Sequence, residues 1–237
     1  MKKPLPTVSA PTLVCTLPVS GVKLKYRPFV IREQKAMLLA QESKDADAII
    51  ETIKSVLSSC THGELQFDKI PTADLGYFFL QLRIASAGPE VKFGIECEKC
   101  STEIVASMSL SDVTVDKSKM ITDVKITDTV GIRFRLPTIE DALENDVADA
   151  KSTKMLYSLI DIVYDEDSVY QKSDYTEEEF NDWIEGLNDQ QLVEIKKFVD
   201  GIPELTHTLT FTCSSCSHTQ SRTLEGLHNF FRFGPDA

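Results

Sequence analysis

Four of the six cysteines fall into two Cys-x-x-Cys pairs, Cys97/Cys100 and Cys213/Cys216. Each pair follows one strand-like run and precedes another: "FGIEC" before "EIVASMSL", and "LTFTC" before "TQSRTL". With two residues between the cysteines at a hairpin turn, both sulfurs project to one side and the turn's amides stabilise thiolates. Two such knuckles supply four sulfurs, and Zn²⁺ in structural sites takes four thiolates tetrahedrally at about 2.3 Å each. The pairs are separated by roughly 110 residues, where a continuous four-cysteine ribbon uses about 15–20. The repeated strand–knuckle–strand context offsets that long gap. The expected cofactor is one structural Zn²⁺ held by Cys97, Cys100, Cys213 and Cys216. Two alternatives stand beside it. One pair binds metal with His207 or His218 while the other is idle, or the pairs are buried or redox-active thiols. A thioredoxin-like pair needs a helix N-terminus to lower its thiol pKa, and neither pair here precedes a clear helical run. Four thiolate ligands leave no open position for a catalytic water, so a shared site is a staple.

Other catalytic signatures are missing. The chain has no H-E-x-x-H, no G-x-S-x-G, no G-x-x-x-x-G-K-[ST] and no G-x-G-x-x-G. Its four histidines show no triad partners at recognisable spacing. The reading is that the chain is not an enzyme. Cys15 and Cys60 are lone cysteines, a type most often used as a small buried hydrophobe.

The elements that must position the knuckles follow from periodicity. Residues 1–20 carry Pro4, Pro6, Pro11 and Pro18 and read as an extended arm. "VKLKYRPF" alternates Val22, Leu24 and Tyr26 with Lys23, Lys25 and Arg27, a half-buried strand. Helices are expected in "IREQKAMLLAQES", in "DADAIIETIKSVLSSC" with Gly63 near its stop, and in "PTADLGYFFLQLRIASAG" with a core face of Leu75, Phe78, Phe79, Leu82 and Ile84. "DVKITDTVGIRFRLP" reads as two strands around a turn near Asp128–Gly131. From Thr138 to Asp200 the pattern predicts four short helices, one of them over "STKMLYSLIDIVY". The fold class is therefore α+β: an N-terminal strand and helices, two Cys-x-x-Cys hairpins forming a discontinuous zinc-ribbon-like element, and a helical acidic insertion. The expected units are the arm at 1–20, a domain made of 21–137 with 201–237, and an acidic subdomain at 138–200.

Charge narrows the partners. The formal net charge is -12, which repels phosphate backbones in the absence of a local basic face. From Glu140 to Asp189 there are sixteen Asp and Glu against three Lys. That segment is either a solvated face or a surface for a basic partner protein. No run of about 20 apolar residues is present, so no membrane span is expected. "MKKPLPTVSAPTLVC" lacks the apolar core of a secretory signal. Folding in a reducing cytoplasm follows, where Cys-x-x-Cys pairs favour metal over disulfides.

Several ordered motifs resemble the T-even-type phage baseplate hub proteins. They are Tyr26-Arg27-Pro28-Phe29 leading into a helix, the turn Cys60-Thr61-x-Gly63, and the aromatic helix with Tyr77, Phe78, Leu80, Leu82 and Arg83. The paired Cys-x-x-Cys and the terminal "LEGLHNFF" look like that family too, and the resemblance runs from about residue 22 to 231. It implies a non-enzymatic structural subunit or assembly factor of the baseplate's central hub, with other phage hub proteins as partners and with room for homo-oligomers. It implies assembly in the host cytoplasm, followed either by a lasting place in the virion tail baseplate or by release after a transient role. Tyr26, Arg27, Phe29, Arg83, Phe230 and Phe231 are the candidate interface residues under it, although the terminal phenylalanines read better as core. The alternative is a zinc-ribbon nucleic-acid-binding regulatory protein, which would need a basic, aromatic-studded face. Around the knuckles only Lys99 and Arg222 offer that charge. A thiol oxidoreductase is the third reading.

Overall fold

The computed structural model describes residues 10–43, 45–144 and 153–226. Strand β1 (Leu13–Thr16) pairs antiparallel with β2 (Lys23–Tyr26), Leu13 opposite Tyr26. Residues 10–20, expected as part of an extended arm, are thus half of a hairpin. Pro11 and Pro18 merely flank the strand, where a missing N–H costs no ladder bond. Between them Cys15 and Leu17 turn inward, 6% and 1% exposed. The buried carboxylate of Asp74 accepts hydrogen bonds from the Val19 and Ser20 amides, both at 2.8 Å, and clamps the hairpin turn. Among the described residues, two strands therefore precede the three helices. Helix α1 (Ile31–Ser43) precedes α2 (Ala46–Cys60), which Asp45 caps by accepting from the Asp47 and Ala48 amides. The Thr61 hydroxyl donates to the Leu57 carbonyl at 2.8 Å, and Gly63 at φ +79° turns the chain away. Helix α3 (Thr72–Ala87) starts after Pro71 and buries Leu75, Phe78, Phe79 and Leu82, with Tyr26 edge-on to Phe78 at 5.3 Å.

Strands β3 (Glu90–Glu96) and β4 (Glu103–Ser109) form the first Cys-x-x-Cys hairpin, in register from Glu90–Ser109 to Glu96–Glu103. A 3₁₀ turn over Leu110–Asp112 leads to β5 (Thr114–Asp116).

The next segment differs from expectation. Strands β6 (Asp123–Lys125) and β7 (Gly131–Phe134) pair as anticipated, but they continue into β8 (Ile160–Tyr164) and β9 (Val169–Gln171) to make a four-stranded sheet. Of the anticipated helices, α4 (Ile139–Glu144) is one turn and a half, α5 (Thr153–Leu159) stops at Leu159, and α6 (Glu177–Glu185) and α7 (Asp189–Asp200) stand where expected. The helix expected across "STKMLYSLIDIVY" changes to a strand at Ile160, where β-branched Ile160, Ile162 and Val163 suit a pleated surface. Both α6 and α7 begin with reciprocal capping boxes, Thr176 with Glu179 and Asn188 with Gln191. Val124, Ile132, Phe134, Leu159, Phe180, Ile195 and Phe198 share one core, in which Phe134 and Phe198 stack at 4.3 Å. This core recruits β6 and β7, so the acidic region is a mixed α/β lobe and not the all-helical insertion expected from Thr138.

Strands β10 (Glu204–Thr212) and β11 (Thr219–Glu225) form the second Cys-x-x-Cys hairpin. Strand β10 also pairs antiparallel with β5, Leu205 opposite Val115. A third core joins Leu80 of α3 to Ile95, Met108, Leu110, Leu205, Leu209 and Leu224. Both hairpins therefore rest on one apolar base. The exposed face of the second hairpin carries hydroxyl pairs, Thr208–Thr223, Thr210–Ser221 and Thr212–Thr219, within 3.1 Å.

Candidate metal centre

The two Cys-x-x-Cys turns have the same backbone. In the first, the Ser101 amide donates to the Cys97 carbonyl at 2.8 Å, and the Cys97 amide donates to the Thr102 carbonyl at 3.0 Å. In the second, Ser217 donates to Cys213 at 2.9 Å and Cys213 donates to His218 at 2.8 Å. Ser101 and Ser217 sit at φ +55° and +54°, the left-handed position that folds each turn back over its sulfurs. Two segments more than a hundred residues apart have thus converged on one local device.

The devices face each other. All four sulfurs lie within 4.8 Å of one another. Cys97 Sγ is 3.7 Å from Cys216 Sγ, and Cys100 Sγ is 3.7 Å from Cys213 Sγ. A disulfide needs about 2.05 Å, so these thiols are not bonded. Sulfurs at about 2.3 Å from a common tetrahedral centre would be about 3.8 Å apart, close to the spacing found. Cys97 and Cys213 are buried, Cys216 is half-buried and Cys100 is exposed, which places the group at the surface end of the paired hairpins.

The thiols also behave as a group. The Thr102 hydroxyl, then its amide, pull Cys100 down to about 6. At Cys216 the His218 amide pulls the same way, but desolvation and the thiols of Cys100, Cys213 and Cys97 outweigh it and lift that group to about 12. Four sulfurs this close cannot all ionise without a cation between them. The donor set is chemically that of a four-thiolate structural site, with no ligand position left for a substrate.

Gln220 joins the two halves, and sequence reading passed over it. Its Oε1 accepts from the Glu98 amide inside the first knuckle at 3.0 Å, and its Nε2 reaches the Glu96 carbonyl at 3.4 Å. Its only sequence signal is an inward position in a strand otherwise rich in Ser and Thr, which does not reveal the partner.

The histidines stay apart from the sulfurs. His207 Nδ1 lies 3.2 Å from the Asp112 carbonyl oxygen, and among the described residues no histidine joins the converging group. Cys15 and Cys60 are buried in the first core, and desolvation pushes both thiols up to about 11.

The anticipated interface residues fare differently. Tyr26 and Phe29 are 5% and 8% exposed and belong to the chain's own core, which corrects their assignment as surface contacts. Arg27 forms a fork with the buried Glu33: Nη2 donates to Oε1 at 2.6 Å and Nη1 to Oε2 at 3.0 Å. Arg83 is half-buried and donates to the Gly88 carbonyl at 3.0 Å, closing the end of α3. Phe230 and Phe231 lie outside the described residues.

Among the described residues, no helix is long and apolar enough to cross a membrane. Comparison with curated proteins returns no match, and comparison with solved structures returns none. The sequence profile of the family described as T4 bacteriophage base plate protein matches residues 10–232, nearly the whole chain and both knuckles, so this chain belongs to the T4-type baseplate protein family.

Proposed function

We propose that this protein is a non-enzymatic subunit or assembly factor of the central hub of the baseplate, working by contact with other hub proteins. In this reading Cys97, Cys100, Cys213 and Cys216 hold one structural Zn²⁺, and the paired hairpins form a discontinuous zinc-ribbon-like unit. The observation that carries it is the meeting of four thiols, on two identical turns, within 4.8 Å. The acidic lobe lies in the chain between β5 and β10, whose pairing closes it at its base. The protein acts in the host cytoplasm during assembly and then in the tail baseplate, with self-association open to it.

Metal content tests the first half of the proposal. Untagged protein is expected to hold about one zinc per chain, lost in both Cys97→Ser and Cys213→Ser. Absence of zinc together with freely alkylated thiols would remove the metal. Co-migration with purified hub proteins tests the second half, and failure with every one of them would remove the hub role.

A further inference from the structure

A second site lies in the acidic lobe. A cavity of about 420 Å³ opens between the β8–β9 turn and α6, a size suited to one long side chain or small ligand. Its walls are aromatic: Tyr170 from β9, Tyr175 from the following turn, and Phe180 and Trp183 from α6. The rings follow one another, with centroids 6.4 Å apart for Tyr170–Tyr175 and 5.8 Å for Tyr175–Phe180.

Two carboxylates line the same cavity, and both are held in place. Asp165 Oδ2 accepts the Tyr170 hydroxyl at 2.7 Å, while Oδ1 accepts the Asp167 and Ser168 amides at 2.9 and 2.8 Å. Glu179 Oε2 accepts the Thr176 amide at 2.8 Å as half of the capping box of α6. The Tyr170 hydroxyl, then the two amides, keep Asp165 below the usual carboxylate range. The cavity therefore joins π faces to anions fixed before any ligand arrives.

Such a lining selects a cation. A guanidinium stacks on aromatic rings and donates in a planar fork to carboxylates, so arginine fits it better than a compact ammonium. The chain's own cations do not fill the need. Among the described residues no Lys or Arg lines the cavity. Lys172, the nearest in sequence, sits 4.0 Å from the Tyr157 ring centroid and donates to the Tyr157 and Ser158 carbonyls. From Asp161 to Asp189 the chain carries eleven Asp and Glu with Lys172 as the single basic residue. That field draws a basic partner towards the opening.

We propose that this aromatic and acidic cavity is a docking site for an arginine side chain on a basic segment of a partner protein. The inference rests on the assembly reading for the existence of a partner and is independent of the metal.

Trp183 makes the test direct, because it is the only tryptophan in the chain. The full-length protein is titrated with the peptide acetyl-Gly-Arg-Arg-Gly-amide while Trp183 emission is followed. A saturable change with a dissociation constant below about 1 mM is expected. The same peptide with citrulline in place of arginine should bind at least about tenfold more weakly. Asp165→Asn with Glu179→Gln keeps acceptors for the turn and the cap while removing both charges, and should cost at least about tenfold in affinity. Tyr175→Ala, at a ring already 41% exposed, gives an independent variant with little risk to folding and should weaken binding as well. An unsaturable response, equal binding of the citrulline peptide, or unchanged affinity in both variants would overturn the proposal. Tetramethylammonium binding as tight as the arginine peptide would overturn the arginine assignment. Saturable arginine binding by a protein that joins no hub partner would still support the cavity and would count only against the assembly reading.

Discussion

Replacing Arg27 with Met should cost this protein about 3 kcal/mol at pH 7, and only about 1 kcal/mol at pH 2.5. Glu33 is 7% exposed and accepts from two Arg27 nitrogens, from the Val30 amide at 2.8 Å and from the Ser59 hydroxyl at 2.9 Å. Arg27 is the largest influence, and the set lowers Glu33 from 4.5 to about 2. One pKa unit corresponds to about 1.4 kcal/mol, so this depression contributes up to about 3 kcal/mol. The value sits at the lower end of the about 3–5 kcal/mol found when one partner of a buried pair is removed. Because the folded-state pKa is depressed, the contribution is complete well above pH 4.5, shrinks as pH falls below it and is gone only once pH has fallen through about 2. Urea denaturation of wild type and Arg27→Met, at matched metal content and across pH 2.5–7, measures the difference. Loss of metal in acid affects both proteins and cancels. Arg27→Met with Glu33→Leu should recover much of the stability, since an apolar pair of similar volume replaces a buried ion pair well. A cost below about 1 kcal/mol at pH 7, or an equal cost at both ends of the range, would refute the reasoning.

Gln220→Leu keeps the volume but strands the Glu98 amide, which now donates to Gln220 Oε1 at 3.0 Å. Metal affinity, measured by competition with a chromophoric chelator, should fall about 10–100-fold, as it does when groups orienting a ligand turn are lost. Chelation of the proposed metal from the wild type should release amide protection at the tips of β3–β4 and β10–β11 while leaving the α7 amides of Ile195 and Phe198 protected; hydrogen exchange reads both.

The knuckles were legible because their signal is local. A strand, two cysteines two residues apart and a second strand suffice to specify a turn that aims both sulfurs one way. The three N-terminal helices were legible for the same reason: their stripes and caps, such as Asp45 and Gly63, lie inside each segment. What stayed hidden depends on partners distant in the chain. "STKMLYSLIDIVY" satisfies a helical period throughout, and only the free edge of β7, where Val163 meets Ile132, turns its second half into a strand. The β1 strand is concealed by flanking prolines and needs Asp74, some 55 residues away, to hold its turn. Tyr26, Phe29 and Arg27 looked like interface residues because their motif resembles that of the hub proteins, and Arg27 also because arginine is common at interfaces. Nothing near them announces Phe78 or the demand of a buried Glu33. Family membership was legible in ordered motifs that prove to be core and cap residues: Phe78 and Leu82 fill the first core, and Thr61 ends α2.

The long gap between the knuckles changes what a shared metal contributes. Taken alone, a cross-link between Cys100 and Cys213 closes 113 residues of chain, an entropy term that would make the ion a principal source of stability. The sheet has already closed most of that loop. Glu204 pairs with Asp116, and Leu80, Leu205 and Leu224 share a core with Met108 and Ile95 of the first hairpin. Once those contacts form, the sulfurs are tethered through only about 25 residues, and the loop entropy offset by the metal drops by about 1.3 kcal/mol. The acidic lobe, with its own core around Phe134 and Phe198, lies entirely within the part the sheet closes. A metal in this position would set the alignment of two hairpin tips more than it would hold the fold together. Loss of such a metal would therefore loosen the paired hairpins and spare α6, and with it the aromatic cavity, so the proposed metal and the proposed docking site would be open to separate perturbation in one protein.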